Sequence, residues 1–143
     1  MKIIFHKRPH NPWEKAICWW TGGPYFHCAM VFSDNILIES LPGKGVHMAI
    51  VENIDPAVWD TVEVRMTPEE EAAIQKWAAA EVGCAYDWLG IFMAQFLGIP
   101  RASRNKWFCS ELIVDALHQV GRWLPYKPCT VSPNKLYKLV TKG

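Results

Sequence analysis

Tyr25-Phe26-His27-Cys28-Ala29-Met30-Val31-Phe32-Ser33-Asp34-Asn35-Ile36-Leu37-Ile38-Glu39-Ser40-Leu41 reads as a β-hairpin, two β-rich runs around a short polar turn. Nearly every position of both runs is apolar, so their sheet is expected to be covered on both faces. Two titratable side chains break the pattern: His27 begins the first run and Glu39 sits inside the second. A carboxylate in such a run is costly unless paired. A hydrogen bond to His27 satisfies it and fixes the imidazole tautomer, as the acid of a nucleophile–base–acid triad does. The competing reading of His27 is a satisfied core histidine. Side chains alternate along a strand, so the loop decides between them. A two-residue Asp34-Asn35 turn puts His27 and Glu39 on opposite faces. An odd loop, such as Ser33-Asp34-Asn35, puts them on one face. If Glu39 fails, Ser40 or His47 must orient the base.

Further strands are expected at Lys2–Phe5, Val46–Val51 after the Pro42-Gly43-Lys44-Gly45 turn, and Thr61–Arg65. Asn11 and Pro12 open a short helix to Trp20, which Thr21-Gly22-Gly23-Pro24 breaks. Thr67 caps a helix from Pro68, with Glu69 to Glu71 in its first turn and Gly83 at its end. Tyr86–Leu97 reads as a second helix, followed by a basic loop over Arg101–Lys106. Cys109–Val120 is a third, its Leu112, Ile113, Ala116, Leu117 and Val120 at helical spacing. Ser132 and Pro133 open a last short helix, Asn134–Val140. The expected class is α+β: a small antiparallel sheet with helices packed on it, one domain over residues 1–143.

Cys109, in Trp107-Phe108-Cys109-Ser110-Glu111-Leu112, opens the third helix. A free thiol has a pKa of about 8.5, and a helix N-terminus or nearby imidazolium lowers it. First-turn N–H groups can also hold the oxyanion formed when a thiolate attacks a carbonyl. Cys109 is thus placed as a nucleophile with His27 as its base; a buried structural cysteine is the alternative. Trp19, Trp20, Trp107 and Trp123 read as aromatic core, with a wall of an apolar acyl pocket as the other reading of Trp107. Glu111 and Asp115 read as solvated or compatible with the helix dipole.

These residues together carry a resemblance. Ile17-Cys18-Trp19-Trp20-Thr21-Gly22-Gly23-Pro24-Tyr25-Phe26-His27 resembles the opening segment of the circularly permuted NlpC-type papain-like proteins, the YiiX/YaeF-like group. Glu39 matches that family's acid, and Gly45-Val46 the strand after it. Gly83-Cys84-Ala85-Tyr86-Asp87 resembles its Gly-x-x-Tyr-Asp segment, and Phe108-Cys109-Ser110-Glu111-Leu112 its nucleophile motif. The order His, acid, Cys is the permuted order, and the resemblance spans residues 13–121. Phe26 departs from it, standing where the family often has Ser. The resemblance implies a permuted papain-like fold and a cysteine hydrolase or acyltransferase with Cys109 as nucleophile, His27 as base and Glu39 as its orienter. Amides, esters and thioesters are in range, on peptidoglycan-type peptides or lipid acyl groups. Tyr86 is a candidate for oxyanion or substrate contact, or a packed aromatic.

Composition bounds the reading. Half of the 143 residues are apolar and eight are Trp, ample for a core. A net charge of +1 gives no electrostatic case for nucleic acid. Five cysteines without CxxC spacing argue against a disulfide framework or a zinc site, so no cofactor or metal is expected. A rival metal reading would use His27, Cys28 and Cys109. Met1-Lys2-Ile3-Ile4-Phe5 is too short for a signal-peptide core, and Trp88–Ile99 too short to span a bilayer. With unpaired thiols, this points to the cytosol. The rival function is a non-catalytic module that keeps the fold and holds a peptide or lipid.

Overall fold

The computed structural model describes residues 1–87, 97, 99, 106–123 and 125–142. Strands β1 (Lys2–His6), β2 (His27–Val31), β3 (Ile36–Leu41), β4 (Gly45–Ile50) and β5 (Trp59–Glu63) form one antiparallel sheet in the order β4-β3-β2-β1-β5. The described helices are α1 (Pro12–Thr21), α2 (Pro68–Ala80), α3 (Cys109–His118) and α4 (Pro133–Lys142), with a 3-10 turn at Pro128–Thr130. The class is α+β, as expected. No helix among the described residues is long and apolar enough to cross a membrane.

Local chemistry sets the helix starts. Asn11 and Glu14 form a reciprocal capping box ahead of α1, and Thr67 and Glu70 form another ahead of α2. Each begins with proline, whose missing N–H is no loss there. Gly22 ends α1 in the left-handed region at φ 68°.

Both sheet faces are covered, but by different means. Ile3, Phe5, Cys28, Met30 and Ile38 meet the helices, where Ile74, Leu112, Leu117 and Leu136 complete the main core. On the opposite face Ile4, Ala29, Val31 and Leu37 are closed over by Val51, Ile54 and Trp59, from the loop and strand after β4. Helix α3 is the hub: eight of its ten residues are buried. It is therefore not the amphipathic surface helix its spacing suggests. Of the two readings of Glu111, solvated or compatible with the helix dipole, the first fails: it is 1% exposed because the helix is enclosed on nearly every side.

Two further expectations change. Tyr86 does not start a helix: Ala85–Tyr86 is strand β6, pairing in parallel with β7 (Lys106–Trp107). Gly45 lets this pair approach, since a Cβ there would lie 2.1 Å from the Cys84 carbonyl oxygen. The remainder of the Tyr86–Leu97 helix and of the Arg101–Lys106 loop lies almost wholly outside the described residues. Trp19 and Trp20 are not core: they are 79% and 48% exposed on α1, which has no buried residue.

The turn that feeds β2 is held by a side chain far away in sequence. Asn134, 2% exposed on α4, accepts from the Tyr25 amide at 3.0 Å. Its Nδ2 donates to the Tyr25 carbonyl at 2.9 Å and to Thr21 Oγ1 at 2.6 Å. Gly23 is required against it, because a Cβ would meet Asn134 Oδ1 at 2.2 Å. Asn134→Ala strands buried groups of this turn and is expected to lower stability by about 1–3 kcal/mol, read as a fall in the urea midpoint. An unchanged midpoint would show that the turn is held without it.

Candidate active site

The β2–β3 loop has the odd length the pairing requires. The Phe32 amide bonds the Ile36 carbonyl at 2.9 Å, leaving Ser33, Asp34 and Asn35 as a three-residue loop. The Asn35 amide closes it on the Phe32 carbonyl at 3.0 Å, and Asn35 sits at φ 63°. That is the common three-residue hairpin, a turn ended by a left-handed residue, and Asn tolerates that region. The register pairs Met30 with Ile38 and Val31 with Leu37. Counting back along it sets His27 against Leu41, so Glu39 shares the face of His27.

His27 Nε2 and Glu39 Oε2 meet at 2.5 Å, with side chains 8% and 12% exposed. His47, directly opposite Glu39 on β4, approaches the other oxygen, Oε1, at 3.2 Å. The carboxylate therefore bridges two imidazoles. His47 supplements Glu39 rather than substituting for it, a role that strand-by-strand reading misses because the two lie on different strands.

Cys109 comes to the same place from the other side of the sheet. Ser40 Oγ donates to the Trp107 carbonyl at 2.6 Å, tying β3 to the segment that leads into α3. Ser110 Oγ donates to the Val131 carbonyl at 2.5 Å, fixing the first turn of the helix. With Nε2 of His27 taken by Glu39, the ring presents Nδ1 to Cys109, which hydrogen-bonds His27. Phe108 precedes the helix without a side-chain cap, so no side chain competes there for the first-turn amides.

The electrostatics favour a thiolate–imidazolium pair. Cys109 is held well below the ordinary thiol value: Cys28 donates to its sulfur through S–H and backbone N–H, and His27 adds a hydrogen bond and a positive charge. Together these outweigh burial, which opposes them. Burial also opposes charge on His27, but Cys109 and Glu39 outweigh it and push the imidazolium up to about 10. Glu39 resists burial in the same way, kept below the usual carboxylate value by His27 and His47. Cys28, which reads as a small buried hydrophobe in the sequence, is thus a donor beside the sulfur. Its own thiol is raised well above the ordinary value by burial and by Cys109.

A cleft of about 810 Å³ opens beside the pair, with His27 and Glu39 in its wall. Trp13, Ile17, Phe26, Leu41, Trp59 and Tyr86 supply most of its apolar lining, and among the described residues no lysine or arginine lines it. Cys109 lies instead at the end of a crevice of about 20 Å³, between Ile17, Thr21, Phe26, Tyr86, Phe108 and Pro133. Tyr86 lines both spaces; burial first, then the charge of Cys109, pushes its phenol well above the ordinary value, so it remains an O–H donor. Trp107 lines neither. Its indole packs on Trp77 at 5.6 Å and donates to Glu81 at 2.8 Å, so of its two readings the packed aromatic holds and the acyl-pocket wall does not. Glu111 reaches back to the Phe108 amide, and burial, aided by Asp87 and Asp115, pushes its carboxyl up to about 8. Among the described residues no group of three His, Cys, Asp or Glu side chains is placed to hold a metal ion.

Neither a scan against protein-family models nor a search of the curated proteins finds a match to this chain.

Proposed function

We propose that this chain is a cysteine-nucleophile hydrolase or acyltransferase with a permuted papain-like, NlpC-type arrangement. The observation that carries the reading is the convergence of Cys109, His27 and Glu39 from α3, β2 and β3 into one hydrogen-bonded chain. The Cys109 thiolate attacks the carbonyl carbon of an amide, ester or thioester. The carbonyl electrons move to oxygen, and the first-turn amides of α3, with the Tyr86 hydroxyl, hold that oxyanion. As the intermediate collapses, His27 Nδ1 gives its proton to the leaving group and a thioester on Cys109 remains. His27, now neutral, takes a proton from water or another acceptor, which attacks the thioester and restores the thiolate and imidazolium. Glu39 stays ionised throughout and holds the ring.

The cleft adds a preference. Its apolar walls suit an apolar group. The cleft is equally a place to bind without reacting, and the narrow crevice at Cys109 favours that second reading. Acyl probes of amide, ester and thioester type separate the two. Intact mass is expected to show an acyl adduct on Cys109, formed fastest with the more apolar acyl groups and absent in Cys109→Ala. Equal, sluggish labelling of Cys18, Cys28, Cys84, Cys109 and Cys129 would leave only the binding module.

A further inference from the structure

The large cleft and the nucleophile crevice are adjacent but not one space. Among the described residues Ile17, Phe26 and Tyr86 line both. The crevice, at about 20 Å³, has room for little more than a water molecule. The cleft, at about 810 Å³, has the size of a small-molecule site. Cys109 is 3% exposed. The way from the cleft to the sulfur therefore runs past these shared side chains, and the crevice is too small to hold a carbonyl with its substituents.

The walls differ in what holds them. Tyr86 belongs to the β6–β7 pair, opposite Trp107, which is itself locked to Trp77 and Glu81. Ile17 belongs to α1, whose last residue Thr21 is held by Asn134. Phe26 has its backbone amide bonded to the His6 carbonyl at 3.3 Å, so its main chain stays with the sheet. Its ring is half-buried and rests on the His6 ring at 4.6 Å, and His6 in turn rests on Trp59 at 4.5 Å. The Phe26 ring carries no hydrogen bond, and rotation about its side-chain bonds leaves every backbone hydrogen bond in place.

We propose that Phe26 is a specificity-determining gate: its ring closes the passage from the cleft to Cys109 and turns aside for a substrate whose apolar group takes its place against His6 and Trp59. This rests on the reading of Cys109 as nucleophile only for its consequence in turnover; the passage itself is a statement about access. Groups that reach the cleft but cannot displace the ring are held without reacting, and compact groups that slip past it react without using the cleft.

Two thiol reagents test this, iodoacetamide as the small probe and N-phenylmaleimide as the bulky one, with the rate at Cys109 read by peptide mapping. In Phe26→Ala the bulky-to-small rate ratio is expected to rise at least tenfold over the unmodified chain. Phe26→Leu should fall between, and Phe26→Trp below the unmodified chain. Ile17→Ala, which thins a wall without removing the gate, should move the ratio less than threefold. A ratio unchanged across the Phe26 series overturns the gate, as does an Ile17→Ala effect equal to that of Phe26→Ala. Should Phe26→Ala not fold, judged by its thermal transition, Phe26→Leu and Phe26→Trp give the same ordering. If iodoacetamide labels Cys109 no faster than the other cysteines, the nucleophile reading falls, while the ratio still decides the gate.

Discussion

Replacing His27 with alanine is expected to lower turnover of an activated acyl substrate by about 10²- to 10⁴-fold. The loss has two sources. The base and leaving-group acid is gone, and so is the positive charge that keeps the buried Cys109 sulfur ionised. Without that charge, burial acts on the thiol with less opposition and raises its pKa. The rate of iodoacetamide labelling against pH reports the second source alone. In the unmodified chain labelling should already be fast well below pH 8.5, the region of an ordinary thiol. In His27→Ala the rise should move to higher pH, and labelling at pH 7 should fall by at least tenfold. An unmoved profile would mean that the imidazole does not control the thiol. Glu39 also loses its nearest partner in this variant, so His27→Gln, which keeps a polar group there, separates a folding loss from a chemical one.

Glu39→Gln carries the second large effect, and its sign follows from the shifted groups. His27 is raised from 6.5 to about 10, so the stabilisation it gains is full below pH 6.5 and lost as pH rises through about 10. Glu39 is lowered from 4.5, so its stabilisation is present above that value and lost as pH falls through its folded value. The pair thus contributes most between about pH 4.5 and 6.5. Glutamine at 39 retains the shape and removes the charge. The alkaline limb of the activity profile, set by imidazolium near 10, should then move toward neutral pH. Each pKa unit it moves is a tenfold loss in the thiolate–imidazolium population at pH values above the new limb. The chemical denaturation midpoint should fall most near pH 5.5 and least above pH 10. An alkaline limb that stays in place, with activity merely scaled down, would sink the electrostatic role and leave Glu39 a packing residue.

The order of elements was legible because each has a local cause. Capping pairs at Asn11 with Glu14 and Thr67 with Glu70, prolines at helix starts, and apolar β-rich runs act within a few residues of themselves. Boundaries moved where neighbours pair: β5 runs Trp59–Glu63 rather than Thr61–Arg65, since its partner β1 extends to His6 opposite Trp59. Tyr86 reads as a helix start in the sequence because its partner strand, Lys106–Trp107, lies some twenty residues away. The errors at Glu111 and at Trp19 and Trp20 have one origin. Helical spacing tells which residues share a face, but not how many faces other elements will cover.

By itself the sequence determined the α+β class, the candidate pair of Cys109 and His27, and the two loop lengths between which Glu39 was suspended. Those follow from residue type, alternation and turn chemistry, all of them short-range. Only the tertiary structure chose the three-residue loop that puts Glu39 on the face of His27, brought His47 to the other carboxylate oxygen and Cys28 to the sulfur, and decided between the two readings of Trp107. It also set Ile17, Phe26 and Tyr86 in the lining of both the cleft and the crevice at the nucleophile. The physical reason is the same for each. Register, the enclosure of a helix and the boundary between two cavities are set by which distant surfaces meet, and a side chain's neighbours across a sheet or a cleft leave no periodic trace along the chain.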